Sequence, residues 1–277
     1  MDGMLRSGLV VLVLLLVGCN SFAGGGTGGG GDDDPSGDAP GGGGSNAGTN
    51  VFATTTTNVV VEIDYETGQA PYTGNVLTFG DTWEPTINNI NRVFSSKKTL
   101  TIPSTVGAMT DVGPISDEEI TVADIAALAA QHRSMHDSAD TKTYWMLFAS
   151  GYFTDGNGVN PGVLGVSVGD TILMFKDVIR STGDLANPNT VRYVEQSTII
   201  HELAHSIGLV DNGVTMLVDH KDEAHGAHCS NPDCVEYWLN EGSSDARAFA
   251  LRRLLTNNTI LFDAACLADV DALTGGP

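Results

Sequence analysis

Positive charge is what this 277-residue chain has least of: 13 Lys and Arg stand against 34 Asp and Glu, a formal net charge of −21. Nucleic acid is therefore excluded as an expected partner, because phosphate binding needs a basic patch. Aromatic residues make up only 6% of the chain, and four cysteines are too few for a disulfide framework. The fold must rest on ordinary hydrophobic burial. No apolar run approaches the roughly 20 residues of a membrane-spanning helix. The run Leu9 to Val17 has nine, the length of a signal-peptide core. What remains beyond residue 50 is enough chain for one large domain.

Residues 1–18 thus read as a signal peptide. The string Leu16-Val17-Gly18-Cys19 resembles the lipobox of bacterial lipoproteins. That resemblance implies an acylated Cys19, contact with the membrane through an N-terminal lipid and a place in the bacterial cell envelope. Asn20 in place of Asp after the cysteine points, by the same analogy, to the outer membrane. Residues 24–48 hold 13 glycines with Asp32, Asp33, Asp34 and Asp38 among them and no large apolar side chain. No core can form there, so residues 19–50 read as a lipidated cysteine followed by a flexible linker, and residues 51–277 as the folded domain.

In that domain, Val59 to Tyr65 is β-branched and reads as a strand. Asp81 to Phe94 has Trp83, Ile87, Ile90 and Val93 at helical spacing. Leu100 to Pro103 predicts a short strand, and Ser116 followed by three acids predicts the start of a helix running toward Ser134. Tyr144 to Ala149 reads as a buried strand. Val163 to Val168 and Thr171 to Phe175 read as a hairpin about Gly169-Asp170. Helices are expected at Thr190 to Ile207 and Ser243 to Leu255, with mostly loop between them. The order implies an α+β fold with a mixed sheet, an active-site helix and a loop-rich C-terminal part.

The most informative string is His201-Glu202-Leu203-Ala204-His205, inside the helix expected at Thr190 to Ile207. Four-residue spacing puts both imidazoles on one face, near enough to bind one Zn2+ ion, while Glu202 stands where it can polarise a water held by the metal. Two histidines and a carboxylate are the groups that metal-assisted hydrolysis requires. His132 and His136 share the spacing but have Arg133 between them, and read as a solvated helix face.

The longer string ends the helix at Gly208, with Asp211 three residues beyond. It resembles the metzincin clan of zincin metallopeptidases, in which the glycine lets a third ligand turn back to the metal. Asp211 takes the third-ligand place. Downstream, His228-Cys229, four residues, then Cys234 is similar to the archaemetzincin continuation, although His228 lies 17 positions beyond Asp211 and Glu236 stands where the clan has the methionine of its Met-turn. Asn240-Glu241-Gly242-Ser243-Ser244-Asp245 is similar to the gluzincin element in which a glutamate ligates zinc. His228 is taken as the third ligand because histidine is the better zinc donor, with Asp211 and Glu241 left open. Cys229 and Cys234 have a spacing compatible with a tight loop disulfide, which leaves Cys266 as the odd cysteine. His220 and His225, among Asp219, Asp222 and Glu223, read as a solvated loop, with groups supporting the metal ligands or a secondary cation site as the alternatives.

These observations imply a lipid-anchored, monomeric zinc metallopeptidase of zincin type. Peptide bonds of a protein or peptide substrate would be cut by a metal-activated water with Glu202 as general base, the substrate pairing on the edge strand of the Val163 to Phe175 hairpin. The alternative is a non-catalytic surface lipoprotein that keeps a zincin fold as a binding module. Glu236 speaks for that alternative and Glu202 against it.

Overall fold

The computed structural model describes residues 50–77, 80–183, 187–256 and 259–276. The expected signal peptide, Cys19 and the linker through residue 49 lie outside the described residues. Along the chain come β1 (Asn58–Tyr65), the ribbon β2 (Asn75–Val76) and β3 (Gly80–Asp81), α1 (Glu84–Val93), β4 (Thr99–Thr101), β5 (Thr110–Asp111), β6 (Glu119–Ile120) and α2 (Val122–His132). These are followed by β7 (Thr141–Ala149), β8 (Tyr152–Asp155), β9 (Gly158–Asn160), β10 (Gly165–Val168), β11 (Thr171–Phe175), α3 (Lys176–Ser181) and α4 (Thr190–Ile207). A 3₁₀ turn (Trp238–Glu241), α5 (Ser243–Thr256) and α6 (Ala264–Thr274) complete it.

The fold is α+β around a mixed six-stranded sheet in the order β10-β11-β7-β1-β4, with β5 also paired to β1. β1 runs parallel to β7 from Asn58 opposite Thr141 to Tyr65 opposite Phe148. Its other edge takes β4 near one end and β5 near the other. β7 is buried from Tyr144 to Ala149, the continuous apolar burial of a strand covered on both faces. β10 is the one antiparallel member of this sheet. Among the described residues it pairs only with β11 and forms the sheet's outer edge.

Helix α4 packs against β10, β11, α1, α3 and α5, and 15 of its 18 residues are buried. A helix covered on nearly all sides must satisfy its own polar groups. Glu195 pairs with the equally buried Lys176 of α3 and accepts from the Tyr72 amide at 2.6 Å. Gln196 accepts from Thr86 at 2.8 Å. Removing one partner of the Lys176–Glu195 pair would leave a charge stranded in the core, at a cost of about 3–5 kcal/mol. The helix stops at Gly208, which has φ +97°. A Cβ there would lie 2.9 Å from the Asn212 carbonyl oxygen, so the sharp turn requires glycine.

Two expectations need correction. Asp81 lies in β3, and α1 begins at Glu84 with Pro85 in its first turn. The acids after Ser116 do not start a helix: Glu119 and Ile120 form β6. The helix starts instead behind Thr121, whose hydroxyl accepts from the Asp124 amide while the Asp124 carboxylate accepts from the Thr121 amide. A reciprocal cap satisfies two end groups, which acids near a dipole do not. The hairpin β8–β9 and helices α3 and α6 went unforeseen. In α6 the apolar residues ring the helix, so no periodic face marks it.

Candidate metal centres

His201 and His205 stand one turn apart on α4, with ring nitrogens Nε2 3.1 Å from each other. His201 Nδ1 donates to the Val235 carbonyl oxygen at 2.8 Å, which leaves a lone pair on its Nε2. His228 Nδ1 likewise meets the His225 carbonyl oxygen, so its Nε2 also faces inward as an acceptor. One carboxylate oxygen of Glu241, Oε1, lies 2.6 Å from His228 Nε2, 3.4 Å from His201 Nε2 and 3.9 Å from His205 Nε2. All four residues are buried, with one ligand atom from each inside a 4.8 Å span.

Burial, together with His201 and His228, holds the His205 imidazole well below its usual pKa. Burial alone would raise Glu241, but His228 and His201, when protonated toward it, outweigh burial and hold the carboxyl well below the usual carboxylate range. Imidazole lone pairs and a carboxylate facing one point repel each other unless a cation sits among them, so the donor set fits a divalent metal of zinc's chemistry. Glu202 is buried on α4 between the two histidines and runs under β10. A Cβ on Gly165 would come within 2.8 Å of Glu202 Cγ, so glycine at the start of β10 is what admits the carboxylate.

Of the three candidate third ligands, the structure brings His228 and Glu241 to the histidine pair and leaves Asp211 out. Asp211 has φ +64°, a side chain 56% exposed and Lys221 Nζ at 3.7 Å. It belongs to the turn that follows Gly208. Glu236 is fully buried, its oxygens 3.6 Å from His201 Nδ1 and 3.9 Å from His205 Nδ1. A carboxylate thus faces both His201 and His205 where the resemblance leads one to expect a methionine.

A second cluster lies one residue away in sequence. Cys229 and Cys234 are not bridged: both are free thiols, and so is Cys266, which joins them. Cys234 Sγ and Cys266 Sγ are 3.6 Å apart, and one ligand atom each from Cys229, Cys234, Asp263 and Cys266 falls inside a 4.8 Å span. Hydrogen bonds from Cys234 and then Cys266 pull the Cys229 thiol down to about 2, the direction a thiolate ligand requires. Burial holds Cys234 up, and donation to Cys229 does the same for Cys266.

His220, expected in a solvated loop, is buried. Its Nε2 meets Asp269 Oδ2 at 2.8 Å, which turns Nδ1 as an acceptor toward Cys266 Sγ at 3.9 Å. His225 is not free in solvent either: its ring stacks on Trp238 with centroids 3.7 Å apart. His132 and His136 do not share a helix face: α2 ends at the half-buried His132, and the exposed His136 lies beyond it, neither belonging to either cluster. The sequence alone did not show Glu241 as a companion of His228, nor the gathering of Cys229, Cys234 and Cys266 into one cluster. The available signal was three cysteines in the C-terminal part with a histidine ahead of them, a metal-site composition as much as a disulfide one.

No family model matches the chain, and no curated protein matches it. Solved structures do. The chain is similar to a zinc-dependent peptidase from Methanocorpusculum labreanum, at 12% identity and a TM-score of 0.43 over 76% of this chain and 99% of that one. It is similar also to archaemetzincin from Methanopyrus kandleri, at 12% identity and a TM-score of 0.40 over 80% and 97% of the two chains. The chemistry of this chain rests on its own residues.

Proposed function

We propose that this protein is a lipid-anchored zinc metallopeptidase of zincin type. The observation that carries the reading is the convergence of His201, His205 and His228 on one point, with Glu202 buried beside them under the edge strand β10. These three histidines would hold zinc through Nε2. Val235 and His225, by accepting at Nδ1 of His201 and His228, fix the tautomers that make this possible. A bound zinc supplies Lewis-acid polarisation and lowers the pKa of a water toward about 7. Glu202 takes the proton of the attacking water on a carboxylate oxygen and delivers it to the nitrogen of the departing amine. β10, unpaired along its outer side within the sheet, offers backbone groups to an extended peptide.

The second cluster is assigned a structural zinc held by Cys229, Cys234, Cys266 and His220, with Asp269 orienting the histidine. The 3.6 Å between two of the sulfurs is close to the separation of about 3.8 Å that thiolates take around one zinc. Asp263 is otherwise engaged, capping α6 through the Cys266 amide at 2.9 Å and accepting from Asn231 at 2.9 Å. The role of this zinc is to fix the loop that delivers His228.

The N-terminal features support attachment through an acylated Cys19 in the outer membrane, with the domain acting as a monomer. A Cys19→Ser protein should leave the membrane fraction. The catalytic reading is tested by Glu202→Gln: zinc content should match the wild type while hydrolysis of a peptide pool disappears. Equal turnover in both proteins would sink it in favour of the binding-module alternative, which the presence of four donors rather than three also favours.

A further inference from the structure

Glu241 does more than accompany the histidines. Its Oε1 faces all three Nε2 atoms at once, at 2.6, 3.4 and 3.9 Å, the place of a fourth ligand on an ion held by the other three. Structural zinc sites are closed by four protein ligands, whereas catalytic ones keep a position for water or substrate. With Glu241 in this place, the centre has the donor count of a closed site.

The backbone that carries Glu241 makes a second, independent observation. Leu164 N donates to the Glu241 carbonyl oxygen at 3.3 Å, and Ser243 N donates to the Gly162 carbonyl oxygen at 3.1 Å. Between them Val163 and Gly242 form an antiparallel bridge. Gly162 to Leu164 lead directly into β10, whose first residue Gly165 covers Glu202. A peptide that reached Glu202 in extended form along this edge would need the same amides and carbonyls.

We propose that the structure is a closed, latent form of the site, in which Glu241 is a fourth protein ligand and Glu241 to Ser243 occupy the place of a substrate strand. This rests on the metallopeptidase reading and specifies its regulation: peptide enters when the strap leaves the edge and Glu241 leaves the metal together with it. The strap is held at its N-terminal side by Trp238 stacked on His225, and by the Asn240 side-chain amide donating to the carbonyls of Cys234 at 2.9 Å and Val235 at 3.0 Å. Beside it lies a mostly apolar cavity of about 240 Å³ between Pro161 and Val163 on one side and Trp238 and Leu239 on the other. An entering peptide would have room there for one apolar side chain.

The test is calorimetric titration of zinc-loaded full-length protein with acetohydroxamate, a bidentate zinc ligand that needs an open coordination position. Wild type is compared with Glu241→Ala and with Glu241→Gln, the second variant keeping the side-chain shape if the first folds poorly. Both variants should bind acetohydroxamate at least about tenfold more tightly than the wild type, the factor by which a closed majority masks the competent form. Their peptide hydrolysis should rise in parallel. If wild type binds acetohydroxamate as tightly as both variants, the site is open and the latency proposal falls while the zinc reading stands. If wild type takes up no zinc at the histidine centre, the metallopeptidase reading and the latency proposal fall together.

Discussion

The two clusters share one loop but are assembled from different parts of the fold. The histidine centre is half helical: His201 and His205 come from the buried helix α4, which also brings Glu202, and only His228 and Glu241 arrive from elsewhere. The cysteine centre draws Cys229 and Cys234 from irregular chain and Cys266 from α6. A preformed helix gives one centre the rigidity that positioning a base demands. The other centre sits on irregular chain between Gly208 and Trp238, where isolated bridges such as Lys221–Cys229 and Cys229–Tyr237 are the strand-like pairing seen among the described residues. His228 and Cys229 are neighbours in sequence, so an ion held at the cysteine cluster would also fix His228 at the other one.

The sharpest way to break this division of labour is at the base. Glu202→Ala should lower peptide hydrolysis by about 10²- to 10⁴-fold without changing zinc content or melting temperature. A comparable loss of activity on Cys234→Ser with full zinc content would mean that the cysteine centre takes part in the chemistry. That variant is expected instead to lose one zinc equivalent and about 4 kcal/mol of stability in denaturant titration, since a closed metal site contributes folding energy directly.

A third comparison is between the candidate ligands of the histidine centre. His228→Ala should weaken zinc binding there by about 100-fold or more, measured by competition with a chromophoric chelator, whereas Asp211→Ala should leave it unchanged. The reverse result would return the third-ligand place to Asp211. The smallest effect is expected at Asp269, which orients His220: Asp269→Asn should cost about tenfold in affinity at the cysteine centre and little at the histidine one. An unchanged affinity would favour Asp263 over His220 as the fourth donor.

Local rules made several elements legible. The β-branched run of β1, the continuous apolar run of β7, the hairpin turn at Gly169-Asp170 and the full extent of α4 follow from periodicity and turn chemistry. The start of α2 was misread because acids near Ser116 resemble a helix start, while the true cap is the reciprocal Thr121 and Asp124 pair. Asp211 looked available because the spacing beyond Gly208 suits a ligand. Its left-handed backbone, shared with Val210, carries the side chain out to Lys221 instead.

By itself the sequence determined the pairing of His201 with His205 and the place of Glu202 between them, because an α-helix of 3.6 residues per turn leaves no other arrangement for residues four apart. It also determined the net charge of −21 and the glycine that ends α4. Only the tertiary structure decided that His228 and Glu241 reach the pair together, that Glu236 faces both histidines, and that Cys266 and His220 join Cys229 and Cys234. Those groups lie on irregular chain or on a separate helix. Which of them meet is set by how the loop from Gly208 to Trp238 packs against α4 and α6, a long-range outcome that no local period encodes.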